Sequence, residues 1–400
     1  MMEQVMVTGM GVVTALGTDV QANHQRLKLG QSGIGKARYF ESVFVEDMPF
    51  AEVPLSNQEL MERLKIGSNM GYTRTCLLAE LAFEEAVHDA GLSPERLSHS
   101  DTAFISASTV GGMCLTDQLY ADANLQSSGS SFLASYSGSA HAMKIIAKHR
   151  LTGFTNTINT ACSSSANAIM LGARLIRSGR AKRAVVGGVD SLAKYTVNGF
   201  NALKILSSQP TKPFDQSRDG LNLGEGAGYL VLEAASVLAD KRTYGVVAGY
   251  GNANDAHHAS AMSEEAVGAL RAMREALAVG QLTAPQIDYV NSHGTGTVNN
   301  DEVELHALQT LFGDLPHFNS TKSYTGHTLG ASGAIEAIFS LLSLGHGEVY
   351  PSLHTEAPIA GIGTALVRGQ SQALPLNWAL SNSFGFGGNC TSILLGRARA

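Results

Sequence analysis

Residues 159–165 read NTACSSS, a run of small residues with one cysteine at its centre, and a strong helical pattern follows at residues 166–177. We predict that Cys162 lies at the N-terminus of this helix, where unpaired backbone N–H groups and the helix dipole favour thiolate over thiol. Because a free thiol is largely protonated at neutral pH, this placement indicates a nucleophile. The alternative is a small buried hydrophobic residue, the commoner role of a lone cysteine.

The composition excludes several classes of protein. A chain of 400 residues exceeds the usual size of a single core, so we expect two domains or two fused halves. The net charge of −6, without a long basic run, argues against a nucleic-acid partner. Four cysteines without CxxC spacing are typical of free thiols in a reducing compartment. We identify no apolar run of the ~18 residues needed to cross a bilayer and no signal-peptide pattern, so we predict a cytoplasmic protein without membrane insertion.

One pattern of strands and helices occurs twice along the chain. Alternating strands and helices at this spacing predict an α/β fold, and the ordered match favours a duplication. We predict an N-terminal half, residues 1–240, and a C-terminal half, residues 241–400, whose strand-end loops meet in a shared crevice. Residues 30–70 and 113–155 are extra in the first half and predict cap insertions. The matched pairs are 5–11 with 244–251, 75–89 with 265–277, 102–106 with 287–291, 166–177 with 332–344, and 229–232 with 390–395.

The second half supplies basic side chains for the cysteine. The stretch NSHGTGT contains His293, and the stretch STKSYTGHTLG contains Lys322 and His327. Glu336 follows on the next predicted helix. No spacing matches a metal motif such as HExxH, so we predict no metal. Three nitrogen bases on strand-end loops, beside a cysteine at a helix start, favour nucleophilic catalysis.

These motifs together resemble the β-ketoacyl-[acyl-carrier-protein] synthases. TACSSS, HGTGT, STKSYTGHTLGASG and NSFGFGGN occur in the family's order, and the resemblance spans nearly the whole chain. It implies a duplicated thiolase-like fold with αβαβα layers, which matches the repeat described above. It also implies an acyltransferase of the elongating class, which condenses a cysteine-bound acyl chain with malonyl-acyl-carrier protein and releases carbon dioxide.

The resemblance implies a catalytic role for five residues. Cys162 would accept the acyl group, and His293 and His327 would be the paired histidines of the elongating class. Lys322 would orient a neighbouring histidine, with Glu336 as its anchor. Two imidazole N–H groups would then stabilise the enolate formed by decarboxylation.

A further set of residues would bind the substrate. The backbone N–H groups of Cys162 and Phe384 would form the oxyanion hole. Phe384 and Gly385 match the gate beside the nucleophile. Thr295 and Thr297 resemble the threonines that hydrogen-bond the phosphopantetheine arm, although from the residues alone they are ordinary turn residues.

Other positions bear on the acyl pocket and on the carrier protein. Thr116 falls where the housekeeping enzymes carry a bulky apolar residue, while Phe200 keeps the aromatic ring expected near the gate. We therefore expect a pocket for a modified, unsaturated and rigid acyl chain, as in aryl-polyene-type pathways. Carrier proteins are acidic and call for a basic entrance. Lys204 matches a family carrier contact, and Arg63 and Lys65 are further candidates.

The expected partners and the competing functions complete this interpretation. The family is dimeric, so we expect a homodimer or a heterodimer with a chain-length-factor-like homologue. Substrates arrive on the phosphopantetheine of acyl carrier protein, and we expect no other cofactor. A degradative thiolase would need a second cysteine in a CxG loop and an asparagine segment in place of His293. A non-catalytic chain-length partner would lack the nucleophile that Cys162 provides. Chain length, unsaturation and pathway stay open.

Overall fold

The computed structural model describes residues 3–125, 127, 129–238 and 241–398. The strands are β1 Val5–Val13, β2 Thr102–Ala107, β3 Thr155–Ile158, β4 Arg183–Asp190, β5 Gly226–Ala234, β6 Gly245–Asn254, β7 Tyr289–Asn291, β8 His317–Asn319, β9 Glu348–Val349, β10 Gln372–Ala373, β11 Trp378–Phe384 and β12 Asn389–Arg397. The helices are α1 Val20–Lys28, α2 Asn57–Leu64, α3 Arg74–Asp89, α4 Pro94–Ser98, α5 Thr116–Leu125, α6 Ala140–His149, α7 Ser164–Arg177, α8 Lys194–Ala202, α9 Val267–Gly280, α10 Val298–Phe312, α11 Lys322–Thr325 and α12 Ser332–His346.

The strand order confirms the predicted duplication. Ten strands are hydrogen-bonded in the order β3-β2-β4-β5-β1-β6-β12-β11-β7-β8, and β9 pairs with β10 in a separate hairpin. Read from each outer edge to the centre, the first half runs β3-β2-β4-β5-β1 and the second runs β8-β7-β11-β12-β6, which is the same order of successive strands. The halves meet where β1 and β6 pair antiparallel.

Two helices form the central layer. Both α7 and α12 contact strands of both halves and each other, whereas α3 packs on strands of the first half and α9 on strands of the second. This arrangement matches the predicted αβαβα layers. Small residues allow the close approach of the central helices, because a Cβ on Gly333 would lie 2.7 Å from the backbone nitrogen of Ala166. The loops that precede α7 and α12 therefore meet at one place.

Contrary to the expectation above, one segment, which includes the central helix of the second half, is long and apolar enough to be mistaken for a membrane span. Leu329–His346 comprises 18 residues with a mean hydropathy of 1.2, and 89% of the segment is buried inside the protein. Burial among other protein elements, rather than lipid, accounts for this composition. The segment is a core helix of an α/β protein.

The extra residues of the first half reach across to the second. Between β1 and α3 lie α1, α2 and a long loop, while β6 leads to α9 without a helix among the described residues. In that loop the N–H of Gly33 donates to the carbonyl of Tyr324 at 2.9 Å, and the Ser32 hydroxyl donates to the carbonyl of Ser323 at 2.9 Å. We predict that the two halves divide between residues 240 and 241. Residues 239 and 240 lie outside the described residues, so this boundary stays a prediction.

Candidate active site

The predicted nucleophile lies in a strained turn just before α7. Ala161 has a φ of 53°, in the left-handed region that disfavours residues with a Cβ. The Ser164 hydroxyl holds this turn, because it accepts the N–H of Thr160 at 2.8 Å and donates to the carbonyl of Ala161. Cys162 is 4% exposed and precedes the N-cap residue of α7. The chain thus presents a buried thiol near the helix N-terminus.

The ionisation of this thiol differs from the sequence prediction. Burial raises the pKa of Cys162 to about 11, although the positive charge of Lys322 and the backbone N–H of Phe386 act in the opposite direction. The net shift of the pKa is therefore opposite to the one expected from the helix N-terminus alone, because loss of hydration is the largest contribution. Cys162 is a neutral thiol at neutral pH and must lose its proton when it attacks.

The imidazole of His327 contacts the sulfur. Its Nε2 lies 3.1 Å from the Sγ of Cys162. The backbone N–H of Leu329 donates to Nδ1 at 3.2 Å, so the ring proton of the neutral imidazole resides on Nε2. Burial, and then Lys322, lower the pKa of His327 well below 6.5, which keeps the ring neutral. The Nε2–H group therefore faces the sulfur as a donor.

His293 completes the pair of imidazoles. Its ring centroid lies 5.4 Å from that of His327, with an interplanar angle of 83°. The carboxylate of Glu304 accepts the backbone N–H groups of His293 and Gly294, both at 2.8 Å, and so fixes the loop after β7. Burial, then Lys322 and His327, lower the pKa of His293 well below 6.5. The second ring is also neutral.

Lys322 and Glu336 form a buried ion pair behind His293. The Lys322 ammonium donates to the carbonyl of His293 at 2.6 Å, lies 3.2 Å from its Nδ1, and pairs with the carboxylate of Glu336. Burial raises the pKa of Glu336 to about 7, while Lys322 acts to lower it. Because the ammonium has no lone pair, His293 Nδ1 is an acceptor and the proton resides on its Nε2. The pair thus fixes both the orientation and the tautomer of His293.

The thiol and the two imidazoles lie close enough together to suggest a metal site. The ligand atoms of Cys162, His293 and His327 all lie within 4.8 Å of one another. A metal would need the lone pair on Nε2 of each ring, but both rings carry their proton there, and the nearby charge of Lys322 opposes a cation. The donor set therefore does not fit a resident metal.

Besides the N–H of Cys162 itself, the loop after β11 provides a backbone donor at the sulfur. The N–H of Phe386 interacts with the sulfur of Cys162. Phe384 instead ends β11, and its ring packs 5.7 Å from that of His293. We therefore correct the predicted oxyanion donor from Phe384 to Phe386. Gly385 lies between them, where a Cβ would be 2.6 Å from the carbonyl oxygen of Thr160. The sequence could have indicated Phe386 as the donor, because Phe386 lies inside the glycine-rich FGFGG loop whereas Phe384 lies at the end of the strand.

Two cavities flank this centre. A cavity of about 310 Å³ is lined by the three reactive side chains and by predicted substrate residues, namely Cys162, His293, His327, Thr295, Thr297, Phe384, Gly385 and Lys204. A larger one of about 1320 Å³ is lined by Thr116, Met113 and other residues. The rings of Phe200 and Phe386 line both cavities and stack with centroids 5.6 Å apart. The aromatic pair therefore separates the reactive centre from a chamber.

The remaining predicted residues divide between the lining of the smaller cavity and the surface, and Thr295 is buried. The hydroxyls of Thr295 and Thr297 are 2.8 Å apart. Lys204 lines the smaller cavity with a φ of 56°. Arg63 and Lys65 are exposed at the end of α2 and do not line either cavity, and Arg63 donates to the Thr18 hydroxyl at 3.0 Å. The structure thus places Lys204, but not the other two cations, beside the reactive centre.

Comparison with known proteins identifies the family. Residues 2–237 match the Beta-ketoacyl synthase N-terminal domain, and residues 244–356 match the corresponding C-terminal domain. The chain belongs to the β-ketoacyl synthase family. A 3-oxoacyl-[acyl-carrier-protein] synthase 2 of Rhizobium meliloti is 35% identical over 99% of both chains. The motif-based resemblance is thereby confirmed.

Solved structures of similar fold include two ketosynthases with chain length factors. The ishigamide ketosynthase/chain length factor is 27% identical with a TM-score of 0.92, and the match covers 100% of both chains. A ketosynthase in complex with its chain length factor from Xenorhabdus doucetiae is 30% identical with a TM-score of 0.85, and the match covers 99% of this chain and 98% of that one. The predicted thiolase-like fold class is confirmed.

Proposed function

We propose that this β-ketoacyl synthase condenses an acyl group on Cys162 with malonyl-acyl-carrier protein, releases carbon dioxide and forms β-ketoacyl-carrier protein. The observation that carries the proposal is the convergence of the Cys162 thiol and two neutral imidazoles on one cavity, where the ligand atoms of the three side chains lie within 4.8 Å of one another. The full-length similarity to a 3-oxoacyl-[acyl-carrier-protein] synthase 2 supports it. No cofactor beyond the phosphopantetheine of the carrier is needed.

In the first half-reaction the Cys162 sulfur attacks the acyl thioester. The backbone N–H groups of Cys162 and Phe386 stabilise the tetrahedral oxyanion, and one such fixed donor contributes roughly a hundredfold or more in rate. The carbon–sulfur bond to phosphopantetheine breaks, and the proton of the Cys162 thiol ends on the departing thiol. The acyl group then remains on the protein, and the first carrier leaves.

In the second half-reaction the malonyl thioester loses carbon dioxide. The electron pair of the broken carbon–carbon bond forms an enolate, whose oxygen accepts hydrogen bonds from the Nε2–H groups of His293 and His327. The enolate carbon attacks the acyl carbonyl, and the Cys162 thiolate leaves. The thiolate then takes a proton from solvent, so one proton is consumed in each cycle.

The chamber behind the aromatic pair is the proposed acyl site. Movement of the Phe386 ring away from Phe200 would join the chamber to the reactive centre, because both rings line both cavities. Thr116 occupies its wall and donates its hydroxyl to the carbonyl of Met113 at 2.8 Å. A small side chain there leaves room for a rigid chain, which supports a role in unsaturated, aryl-polyene-type acyl elongation.

Competing carrier substrates test this finer proposal. We expect higher turnover with polyenyl-carrier than with a saturated acyl-carrier of equal length, and we expect Thr116→Ile to reduce the preference. Equal or better turnover of the saturated chain would contradict the specialisation and leave condensation itself intact.

We also propose an acyl carrier protein and a second thiolase-like chain as partners, in a cytoplasmic setting. The carrier would dock at the entrance near Lys204. Two structural neighbours pair a ketosynthase with a chain length factor, which supports a heterodimer with such a homologue, and a homodimer is the alternative. Within the described ranges β3 is an outer strand of the sheet with a single neighbour, β2, and its exposed residues Thr155 and Asn156 would be available to such an assembly.

Mass spectrometry after incubation with acyl-acyl-carrier protein tests the proposed activity. We expect acylation at Cys162 in the wild type, no acylation in Cys162→Ala, and wild-type acylation in the control Cys390→Ala, whose thiol is buried away from the cavity. Addition of malonyl-carrier should then yield β-ketoacyl-carrier. A protein that is folded yet never acylated would favour the chain-length partner, and cleavage of β-ketoacyl thioesters without decarboxylation would favour a thiolase.

A further inference from the structure

A buried carboxylate at the end of β4 connects two loops that the proposed reaction uses. Asp190 is fully buried, and five donor groups converge on it. Its Oδ1 accepts the Ser108 hydroxyl at 2.6 Å and the N–H of Val110 at 2.8 Å, and its Oδ2 accepts the N–H of Gly330 at 2.7 Å. Backbone N–H groups only donate, so both oxygens act as acceptors, which is the arrangement that a carboxylate favours. Burial raises the pKa of Asp190, while these hydrogen bonds act to lower it.

Asp190 accepts the N–H of Gly330, which is the next residue after Leu329, whose own N–H fixes the tautomer of His327. The N–H of Leu329 donates to His327 Nδ1 at 3.2 Å, and the next N–H along the chain donates to Asp190. Leu329 has a φ of 51°, a conformation that its side chain disfavours and that surrounding contacts must maintain. A Cβ on Gly330 would lie 2.9 Å from Asp190 Oδ2, so a side chain there would crowd the carboxylate.

We propose that Asp190 is a positioning residue, which holds the Leu329–Gly330 turn so that Leu329 donates to His327 Nδ1 and the imidazole proton stays on the Nε2 that faces Cys162. This proposal rests on the proposed role of His327 in condensation. Through Ser108 and Val110 the same carboxylate anchors the loop that leads to the chamber wall at Met113. Asp190 therefore ties the acyl chamber to the donor side of the reaction without touching substrate.

Replacement by asparagine separates this role from simple packing. In Asp190→Asn the hydroxyls of Ser108 and Thr109 can rotate to accept the new N–H groups, but the backbone donors cannot. The N–H of Thr109 lies within hydrogen-bond distance of both oxygens, at 3.0 and 3.1 Å, so either orientation of the amide loses one backbone bond, that of Gly330 or that of Val110. With the amide nitrogen toward Gly330, the N–H of Gly330 meets a donor and the turn shifts, and Gly330→Ala disturbs the same contact from the other side.

The experiment compares Asp190→Asn and Gly330→Ala with two controls, Ser108→Ala and Glu233→Gln. Ser108→Ala removes one donor on the other side of the carboxylate. Glu233→Gln alters a buried carboxylate that pairs with Arg183 at the opposite end of β4. For the first two variants we expect the kcat of condensation to fall roughly a hundredfold, as for loss of one fixed oxyanion donor. The KM for malonyl-carrier and the acylation of Cys162 should stay near wild type.

The imidazole ¹⁵N shifts of histidine-labelled protein report the tautomer directly, with His327→Gln used to assign the signal. We expect the His327 signal to lose its Nε2–H signature in Asp190→Asn and Gly330→Ala only. The proposal is overturned if both variants fold and keep the wild-type kcat and shifts, or if they lose activity no more than Glu233→Gln does. Wild-type protein that is acylated but never condenses would instead contradict the proposed function. Gly330→Ala serves as the test if Asp190→Asn does not fold.

Discussion

The loops before α7 and α12 occupy equivalent positions in the two halves but carry different chemistry. Each joins an outer strand, β3 or β8, to a central helix. The first presents the thiol of Cys162 and the second presents His327, with 3.1 Å between Sγ and Nε2. Duplication of one folding unit therefore supplied two loops at the same place, of which one carries the nucleophile and the other carries a hydrogen-bond donor.

The loops after β2 and β7 repeat this lesson. A buried carboxylate holds each of them, since Asp190 accepts N–H groups of Thr109 and Val110, and Glu304 accepts those of His293 and Gly294. The first loop leads to the larger cavity, whereas the second places an imidazole at the reactive centre. The two halves thus share a backbone arrangement, and individual side chains determine the different functions of the equivalent loops.

Removing the nucleophile of the first half should leave the donors of the second half intact. For Cys162→Ala we expect acylation and condensation to fall by roughly 10⁴-fold or more, because no covalent intermediate forms. Release of carbon dioxide from malonyl-carrier should persist, since it depends on the two imidazoles. Radiometric measurement of carbon dioxide beside product formation checks both parts, and simultaneous loss of both in a folded variant would contradict the division between the halves.

A substitution in the second half should have the opposite effect, with decarboxylation reduced more than acylation. For His327→Ala we expect decarboxylation and condensation to fall by roughly 10²- to 10³-fold, because one fixed N–H donor to the enolate is lost. Acylation of Cys162 should fall less, since the oxyanion donors of that step are backbone groups. Stopped-flow acylation and steady-state condensation assays on the same preparation provide the comparison, and an equal loss in both steps would make His327 a participant in acyl transfer.

Alkylation kinetics measure the balance of burial and dipole at Cys162. Because burial raises the pKa of this thiol to about 11, the thiolate fraction should increase roughly tenfold for each pH unit between pH 7 and 9. The rate of iodoacetamide labelling at Cys162, followed by peptide mass spectrometry, should rise accordingly, with Cys162→Ala as the blank. A plateau near pH 7 would show that the helix dipole dominates after all.

The smallest expected effect concerns the entrance. For Lys204→Glu we expect the apparent KM for carrier-bound substrates to rise a few-fold, because an acidic carrier meets a reversed charge. Turnover of a small thioester without a carrier protein should not change. Arg63→Glu is the matched control, since its side chain is exposed but lies outside the cavity; an equal effect of both variants would indicate long-range steering rather than contact at Lys204.

The sequence allowed much of the architecture to be predicted, because apolar periods and glycine breaks repeat in the same order in both halves. The catalytic set was also accessible, since Cys162, His293, Lys322 and His327 lie in motifs with a recognisable order. The pKa of Cys162 could not be predicted from the sequence, because the burial of the thiol depends on segments that are distant along the chain. The family resemblance also placed the second oxyanion donor at Phe384, at the end of the strand, whereas the backbone N–H that interacts with the sulfur is that of Phe386 in the loop that follows.

The bridge from Ser32 and Gly33 to the loop of Ser323 and Tyr324 has an evolutionary consequence. It crosses between the halves, so a segment inherited with the nucleophile braces the segment that carries the lysine. A recombinant that joins two related parents between β5 and β6 would form these contacts between segments of different parents. Both acceptors are backbone carbonyls and only Ser32 contributes a side chain, so such a chimera should keep the bridge when its N-terminal parent has serine at this position.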